Sequence, residues 1–322
     1  MADLFICLDI GGSKILGAIM NEKDEILCRV KKKTKPQLGR DAVDDRIKSV
    51  IHELMSSYGM DKKDLKAIGA GAPGVIDTKS GNVRIAPNMP WTDHPLRKIM
   101  EEEFQAPFVV GNDVNVGVLG EWKYGAARGY SNVVGIFMGT GIGGGIIIDG
   151  KLFTGSGSAG AEIGHMIINT EGPLCNCGQR GCLEAYSSKV AITRELKAGI
   201  EMGIPTVLKD VLKGKDEVIR SNDLKKAVLR GDQLATSTLR RAAYYLAAGI
   251  GNLINIFNPE IVILGGGVVE ALEDEVLSTV KSNISRFAWS HMLEQTQIKA
   301  AQLKDDAVLY GARALISETL GY

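Results

Sequence analysis

The order strand, glycine turn, strand, polar turn, strand occurs twice in this chain, about 130 residues apart. Few folds accommodate such a repeat. In the first copy, residues 3–9 read as an apolar strand, and "IGG" turns the chain into a second strand over 15–20. "NEKDE" forms a polar turn before a third strand over 26–30. Asp41 then caps a helix whose Val43, Ile47, Val50 and Leu54 share one face, ending near Gly59. Residues 65–72 form a further strand, closed by "PG". After Asn132 the order returns, with "VVGIFMG", "TGIGGG", "IIID", "GK" and "LFTG" as strand, turn, strand, tight turn and short strand.

Two such units predict an α/β protein of two similar lobes with a cleft between them, where ligands usually bind. The length of 322 residues agrees, because it exceeds what one hydrophobic core normally serves. The first lobe is expected over 1–118 and the larger second lobe over 119–305, with the final helix, 306–322, packing back on the first. Hinges are expected near 117–120 and 304–306. A helix-rich stretch over 193–258 ends in a long amphipathic helix, 235–257, stopped by "NPE". A buried strand over 261–264 leads into "GGG".

Charge excludes some partners. Lys plus Arg and Asp plus Glu number 38 each, so nothing electrostatic points to nucleic acid or an acidic membrane. The start, "MADLFICLDIGG", has no basic region of the kind that opens a signal peptide. The longest apolar stretch, 133–148, is interrupted by glycine and falls short of a membrane span of ~20 residues. Five cysteines, an odd number, argue against a disulfide framework and fit a cytoplasmic protein.

The glycines carry chemistry. They number 39, well above the usual ~7%, and they cluster. "GTGIGG" (139–144) fits the dinucleotide fingerprint, but that fingerprint needs a following helix, and here a strand follows. The Walker pattern is absent. A glycine hairpin can still aim several backbone N–H groups at one anion. In "LDIGGSK", Asp9 can hold Mg²⁺, Ser13 can donate a hydroxyl hydrogen bond and Lys14 supplies positive charge. The competing explanation is two plain β-turns whose glycines serve a positive φ.

"FVVGNDVNVGVLGEW" places Asp113 between an apolar strand and a helix. There it is either an N-cap or a general base for an attacking hydroxyl. Glu162 and Glu184 are a pair of the type used in glycoside hydrolysis, but the paired phosphate turns argue against it. Trp91 and Trp122 read as packing residues. Cys175, Cys177 and Cys182 stand in a polar glycine loop, and His165 is ten residues upstream of the first. Together they make a Cys₃His set, the composition of a closed structural zinc site. Cys7 and Cys28 sit in apolar strands and read as core residues.

The motifs "DIGGSK", "GAGAPG", "GNDVNVGVLGE", "GTGIGGGIIIDGKL", "AGAEIGHM", "CNCGQRGCLEA" and "VILGGG" occur in this order. In this the chain resembles the ROK family of sugar kinases over essentially its whole length, and its bacterial glucokinases most. That resemblance implies two actin-like, ribonuclease H-like ATPase lobes that clamp ATP and Mg²⁺. It implies that Asp9, Gly11, Gly12, Ser13, Lys14, Gly139, Thr140 and Gly141 hold the phosphates, and that Gly265, Gly266 and Gly267 lie near the adenosine. It makes Asp113 the catalytic base, with Asn112, Glu162, His165, Glu184, Asn88 and the backbone of Gly74 holding the sugar. His165, Cys175, Cys177 and Cys182 become ligands of a structural Zn²⁺ that fixes both glutamates. Ser13 departs from the commoner Thr but keeps the hydroxyl.

The expected reaction is therefore phosphorylation of a hexose by ATP, with glucose to glucose 6-phosphate favoured and a homodimer or homotetramer as the assembly. Fructose, mannose, allose, N-acetylmannosamine or N-acetylglucosamine are alternative acceptors. A noncatalytic sugar-sensing ROK protein is a further alternative, but Asp9 and Asp113 are both present, and the first strand starting at Leu4 leaves no room for a helix-turn-helix before it. Because both glycine turns lie outside the cysteine loop, loss of the metal is expected to weaken sugar binding far more than nucleotide binding.

Overall fold

A computed structural model describes residues 3–214 and 218–322. Residues 1–2 and 215–217, which fall within the expected leader-free start and the expected helix-rich stretch, lie outside the described residues. The chain divides into two compact units. The first comprises Met1–Gly129, Leu152–Ala161 and Asp305–Tyr322; the second comprises Tyr130–Lys151 and Glu162–Lys304.

The strands of the first unit are β1 (Leu4–Ile10), β2 (Lys14–Met20), β3 (Ile26–Lys33), β4 (Leu65–Ala72), β5 (Val75–Asp77), β6 (Asn82–Ala86), β7 (Trp91–His94) and β8 (Phe108–Asn112). Its helices are α1 (Arg40–Tyr58), α2 (Leu96–Phe104) and α3 (Asp113–Tyr124), with the last helix of the chain, Ala307–Leu320, completing it. Five strands form one sheet in the order β3-β2-β1-β4-β8. The β1–β2 and β2–β3 pairs are antiparallel hairpins, whereas β4 runs parallel to β1 and to β8.

Alternation along β1 builds two cores, because successive side chains of a strand point to opposite faces. Leu4, Ile6, Leu8 and Ile10 join α1 residues Val43, Ile47, Val50 and Leu54 on one face. Phe5 and Cys7 join Leu16, Ala18, Val116 and the C-terminal Leu309, Ala312 and Ile316 on the other. Gly39 rather than Asp41 caps α1; Asp41 lies in the first turn, where its negative charge still suits the helix N-terminus. Gly117 and Gly120, expected at a hinge, are buried inside α3. A side chain at Gly120 would collide with the backbone of Ala307, so glycine there serves close helix packing.

A smaller sheet, β5-β6-β7, carries the turn that holds Asn88. His94 at its edge bonds Asp44 of α1 through Nε2 at 3.0 Å, a pair almost wholly withdrawn from water.

In the second unit, β9 (Val133–Met138), β10 (Ile142–Ile148), β11 (Lys151–Leu152), β12 (Ile261–Gly265) and β13 (Gln297–Ala300) form a sheet ordered β11-β10-β9-β12-β13. Position by position this is the order of the first sheet, including the antiparallel first hairpin and the parallel fourth strand. Around it lie α4 (Glu184–Ser187), α5 (Lys189–Glu201), α6 (Ser221–Leu229), α7 (Gln233–Phe257), α8 (Gly267–Ala271), α9 (Glu273–Asn283) and α10 (Ser290–Leu293). The final helix, α11 (Ala307–Leu320), is the one already assigned to the first unit. The buried stripe of α7 includes Leu239, Ala243, Leu246, Ile250 and Leu253, and Asp232 caps it through Ala235 N–H. Among the described residues, no helix is long and apolar enough to cross a membrane.

Candidate active site and metal centre

Both hairpins turn over three residues, 11–13 between β1 and β2 and 139–141 between β9 and β10. Each is closed by its first residue, though the first turn closes over one residue more than the second. The first N–H of each closes the turn, Gly11 onto Lys14 O and Gly139 onto Gly141 O, both at 2.9 Å. The next two N–H groups, of Gly12 and Ser13 and of Thr140 and Gly141, bond to nothing else among the described residues.

None of these glycines has a φ in the left-handed region, so the explanation by plain β-turns fails on its own terms. Packing explains Gly141, whose added side chain would strike the Glu184 carboxylate. It does not explain Gly139, where nothing lies within 3.9 Å of an added Cβ. An open glycine beside unpaired N–H groups suits an anion that comes close to the backbone.

In the first unit, Asp9 is the second-last residue of β1. Burial, then the neighbouring charge of Asp113, push its carboxyl up to about 7, while Lys14 opposes them. Lys14 Nζ stands 3.1 Å from Asp305 Oδ1, so its charge is shared with an acid that the sequence did not single out. Thr34 was also missed. Fully buried, it donates its hydroxyl to Gly11 O at 2.5 Å and its N–H to Ser13 O at 3.1 Å, bracing the turn.

Asn112, not Asp113, is the N-cap of α3: its Oδ1 accepts the N–H groups of Val114 and Asn115 at 3.0 and 3.1 Å. Its Nδ2 donates to Gly74 O at 3.1 Å, which ties β8 to the turn after β4. Gly74 has φ +94° and lies against the backbone of Ile85 and Ala86, so no other residue fits there. Asp113 is the first helical residue and accepts Val114 N–H at 2.9 Å. The turn bearing Asn88 backs onto Gly12, with Asn88 O 3.4 Å from the Cβ position.

In the second unit, Glu162 precedes a short 3₁₀ turn, Ile163–His165, that packs on β10 through Gly144 and Gly164. His165 Nδ1 faces Cys175 Sγ at 3.8 Å, and Cys177 Sγ lies 3.7 Å from Cys182 Sγ. All four ligating atoms fall within 4.8 Å of one another. A tetrahedral zinc with Zn–S of ~2.3 Å requires sulfur–sulfur edges of about 3.8 Å, so the donor set fits a structural zinc ion. The loop is shaped for it by Gly178 and Gly181, both at positive φ, and by the Cys175 N–H to Gln179 O bond at 2.7 Å. The Gln179 N–H holds the Cys177 thiol below its ordinary value, whereas burial pushes the Cys175 and Cys182 thiols up.

Glu184 joins this loop to the second turn. Its Oε2 accepts Ile142 N–H at 2.9 Å, and its Oε1 is 3.6 Å from Cys175 Sγ. One carboxylate therefore touches both the end of the turn and the cysteine loop. Gly265 and Gly266 adjoin the end of β9 that leads into this turn, whereas Gly267 faces Ser221. Gly265 pairs with Phe137, and a side chain on Gly266 would meet the backbone of Met138, the residue before Gly139.

Comparison with known proteins agrees with these features. Residues 5–319 match the ROK family. A glucokinase of Thermotoga maritima is 35% identical, with 98% of each chain covered. A crystal structure of a ROK family glucokinase from Streptomyces griseus in complex with glucose and AMPPNP superposes with TM-score 0.83 at 34% identity, covering 96% of this chain and 97% of that one. A xylose repressor of Caldicellulosiruptor bescii is 32% identical over 85% of this chain and 68% of its own length. Two sheets of one topology, two glycine turns, a Cys₃His loop and a full-length match have one meaning: this chain is a member of the ROK family.

Proposed function

We propose that this chain is an ATP-dependent hexose kinase, with glucose as the favoured acceptor and glucose 6-phosphate as the product. The observation that carries the reading is the pair of glycine turns, one in each unit, each presenting two unpaired N–H groups. Glucokinases are among its full-length relatives, which supports the choice of sugar. Among family alternatives, a repressor has no need of an acid at Asp9 or Asp113, and both are here. The free cysteines support a cytoplasmic setting.

The chemistry follows from positioning and charge, since phosphoryl transfer asks little covalent work of the protein. The N–H groups of Gly12, Ser13, Thr140 and Gly141 hold phosphate oxygens. Asp9, ionised, would hold the Mg²⁺ that accompanies ATP, which neutralises phosphate charge. Asp113 accepts the proton of the attacking 6-hydroxyl. A loose transition state releases that proton late, so a carboxylate suffices as the base. Asn88, Glu162, Glu184, the backbone of Gly74 and the second ring nitrogen of His165 bind sugar hydroxyls. Asn112 caps α3 through Oδ1 and gives one Nδ2 hydrogen to Gly74 O, which leaves its second amide hydrogen for a neighbouring sugar hydroxyl. Zinc at Cys175, Cys177, Cys182 and His165 Nδ1 would fix the loop from which Glu184 projects.

A panel of hexoses and N-acetylhexosamines assayed for ADP release tests the reading. Glucose should give the highest kcat/KM, and Asp113→Asn should lower kcat about 10²–10⁴-fold with sugar affinity kept. Absence of turnover with every sugar in zinc-replete protein would overturn it.

A further inference from the structure

Lys189 opens α5 directly against the second glycine turn. Its N–H donates to Gly139 O at 3.0 Å, and the N–H of Val190 reaches Thr140 O at 3.4 Å. Ser188 caps the helix by accepting Ala191 N–H at 3.1 Å. In a helix the Cα–Cβ bonds tilt towards the N-terminus, so the Lys189 side chain sets out towards the turn it already touches.

That side chain is half-buried, and among the described residues it has no acid and no hydrogen-bond acceptor. Burial alone acts on its ammonium, holding it below the ordinary lysine value. Lysines seldom give up water without a partner. Lys14 at the first turn shows the contrast, since its charge is shared with Asp305. A stem that merely packs while its head reaches water is the ordinary alternative, but it leaves the position beside an open Gly139 and two unpaired N–H groups unexplained.

We propose that Lys189 supplies the positive charge with which the second turn receives the phosphates of a nucleoside triphosphate, a role that rests on the kinase reading above. The turn offers two N–H groups from Thr140 and Gly141, the α5 N-terminus adds its positive end, and Lys189 adds a full charge. The cation waits unpaired in the free protein and is matched when nucleotide arrives.

Isothermal titration of MgATP and MgADP, together with thermal unfolding of the free protein, tests this on Lys189→Met and Lys189→Arg. The Met variant keeps the length of the stem and removes the charge. It should bind MgATP at least tenfold more weakly, leave hexose affinity within twofold, and unfold at the same or a higher temperature without ligand. The Arg variant should recover most of the nucleotide affinity. A structural lysine would behave in the opposite way, with a lower melting temperature and unchanged MgATP affinity, and that result overturns the proposal. So does an Arg variant as weak as the Met variant. Wild-type protein that binds MgATP but phosphorylates no sugar would sink the hexose kinase reading and leave Lys189 testable by the same titrations.

Discussion

Asp9 is the residue whose environment departs most from its sequence. An acid opening a glycine turn reads as a metal-binding carboxylate, and here burial and the adjoining Asp113 hold its pKa up to about 7. The folded protein thus binds this proton more tightly than the unfolded chain, whose value is near 3.8. Its contribution to stability is fully present below about 4 and is lost as pH rises through about 7. Two results should follow. Asp9→Asn should flatten the fall in melting temperature between pH 5 and pH 8 and be the more stable protein at pH 8 without ligand, by on the order of 2–4 kcal/mol at most. MgATP affinity of the wild type should decline below about pH 7, as the carboxylate protonates and ceases to hold the cation. A melting-temperature slope identical in both proteins would show that Asp9 ionises normally. At the same scale, the cysteines were legible because their type is rare in a polar glycine loop. Thr34, Asp305 and Lys189 were not, because each gains its role from a contact far along the chain: with Gly11, Lys14 and Gly139 respectively.

Among the elements, the hairpins were legible from alternation and glycine spacing to within a few residues. The competing explanation by positive φ falls away at these turns, because the structure shows contact at Gly141 and Gly144 and open space at Gly139. The cysteine loop was legible as a metal site, yet its attachment to the β9–β10 turn through Glu184 needed coordinates. That attachment sets the expected behaviour of Cys175→Ser. The variant should carry substoichiometric zinc by elemental analysis, and hexose affinity should fall at least ~10-fold, the range typical when support around a metal is removed. Nucleotide affinity should fall several-fold as well, because the carboxylate freed from its place also releases Ile142 N–H. Calorimetry finding sugar binding lost but MgATP binding untouched would show that Glu184 does not transmit the change.

For the molecule as a whole, the repeat was the most legible feature: two sheets share one strand order, and the chain belongs to a family in which that pattern is matched from end to end. Less legible was the path by which the first unit is completed. Its second core closes only when Leu309, Ala312 and Ile316 of α11 cover Phe5, Cys7, Leu16 and Ala18. Chains leave the ribosome at about 5–20 residues per second, N-terminus first, so β1 waits roughly 15–60 s for the helix that shields it. Most of the second unit, by contrast, lies in the continuous run Glu162–Lys304. The second unit, though begun later, should therefore mature first, and the opening hairpins should depend on chaperones throughout synthesis. A chain cut before Asp305 should bind a dye for exposed apolar surface and precipitate, and a soluble, dye-negative product would count against this order of events. A nascent kinase of this design stays vulnerable at its beginning until its end is made.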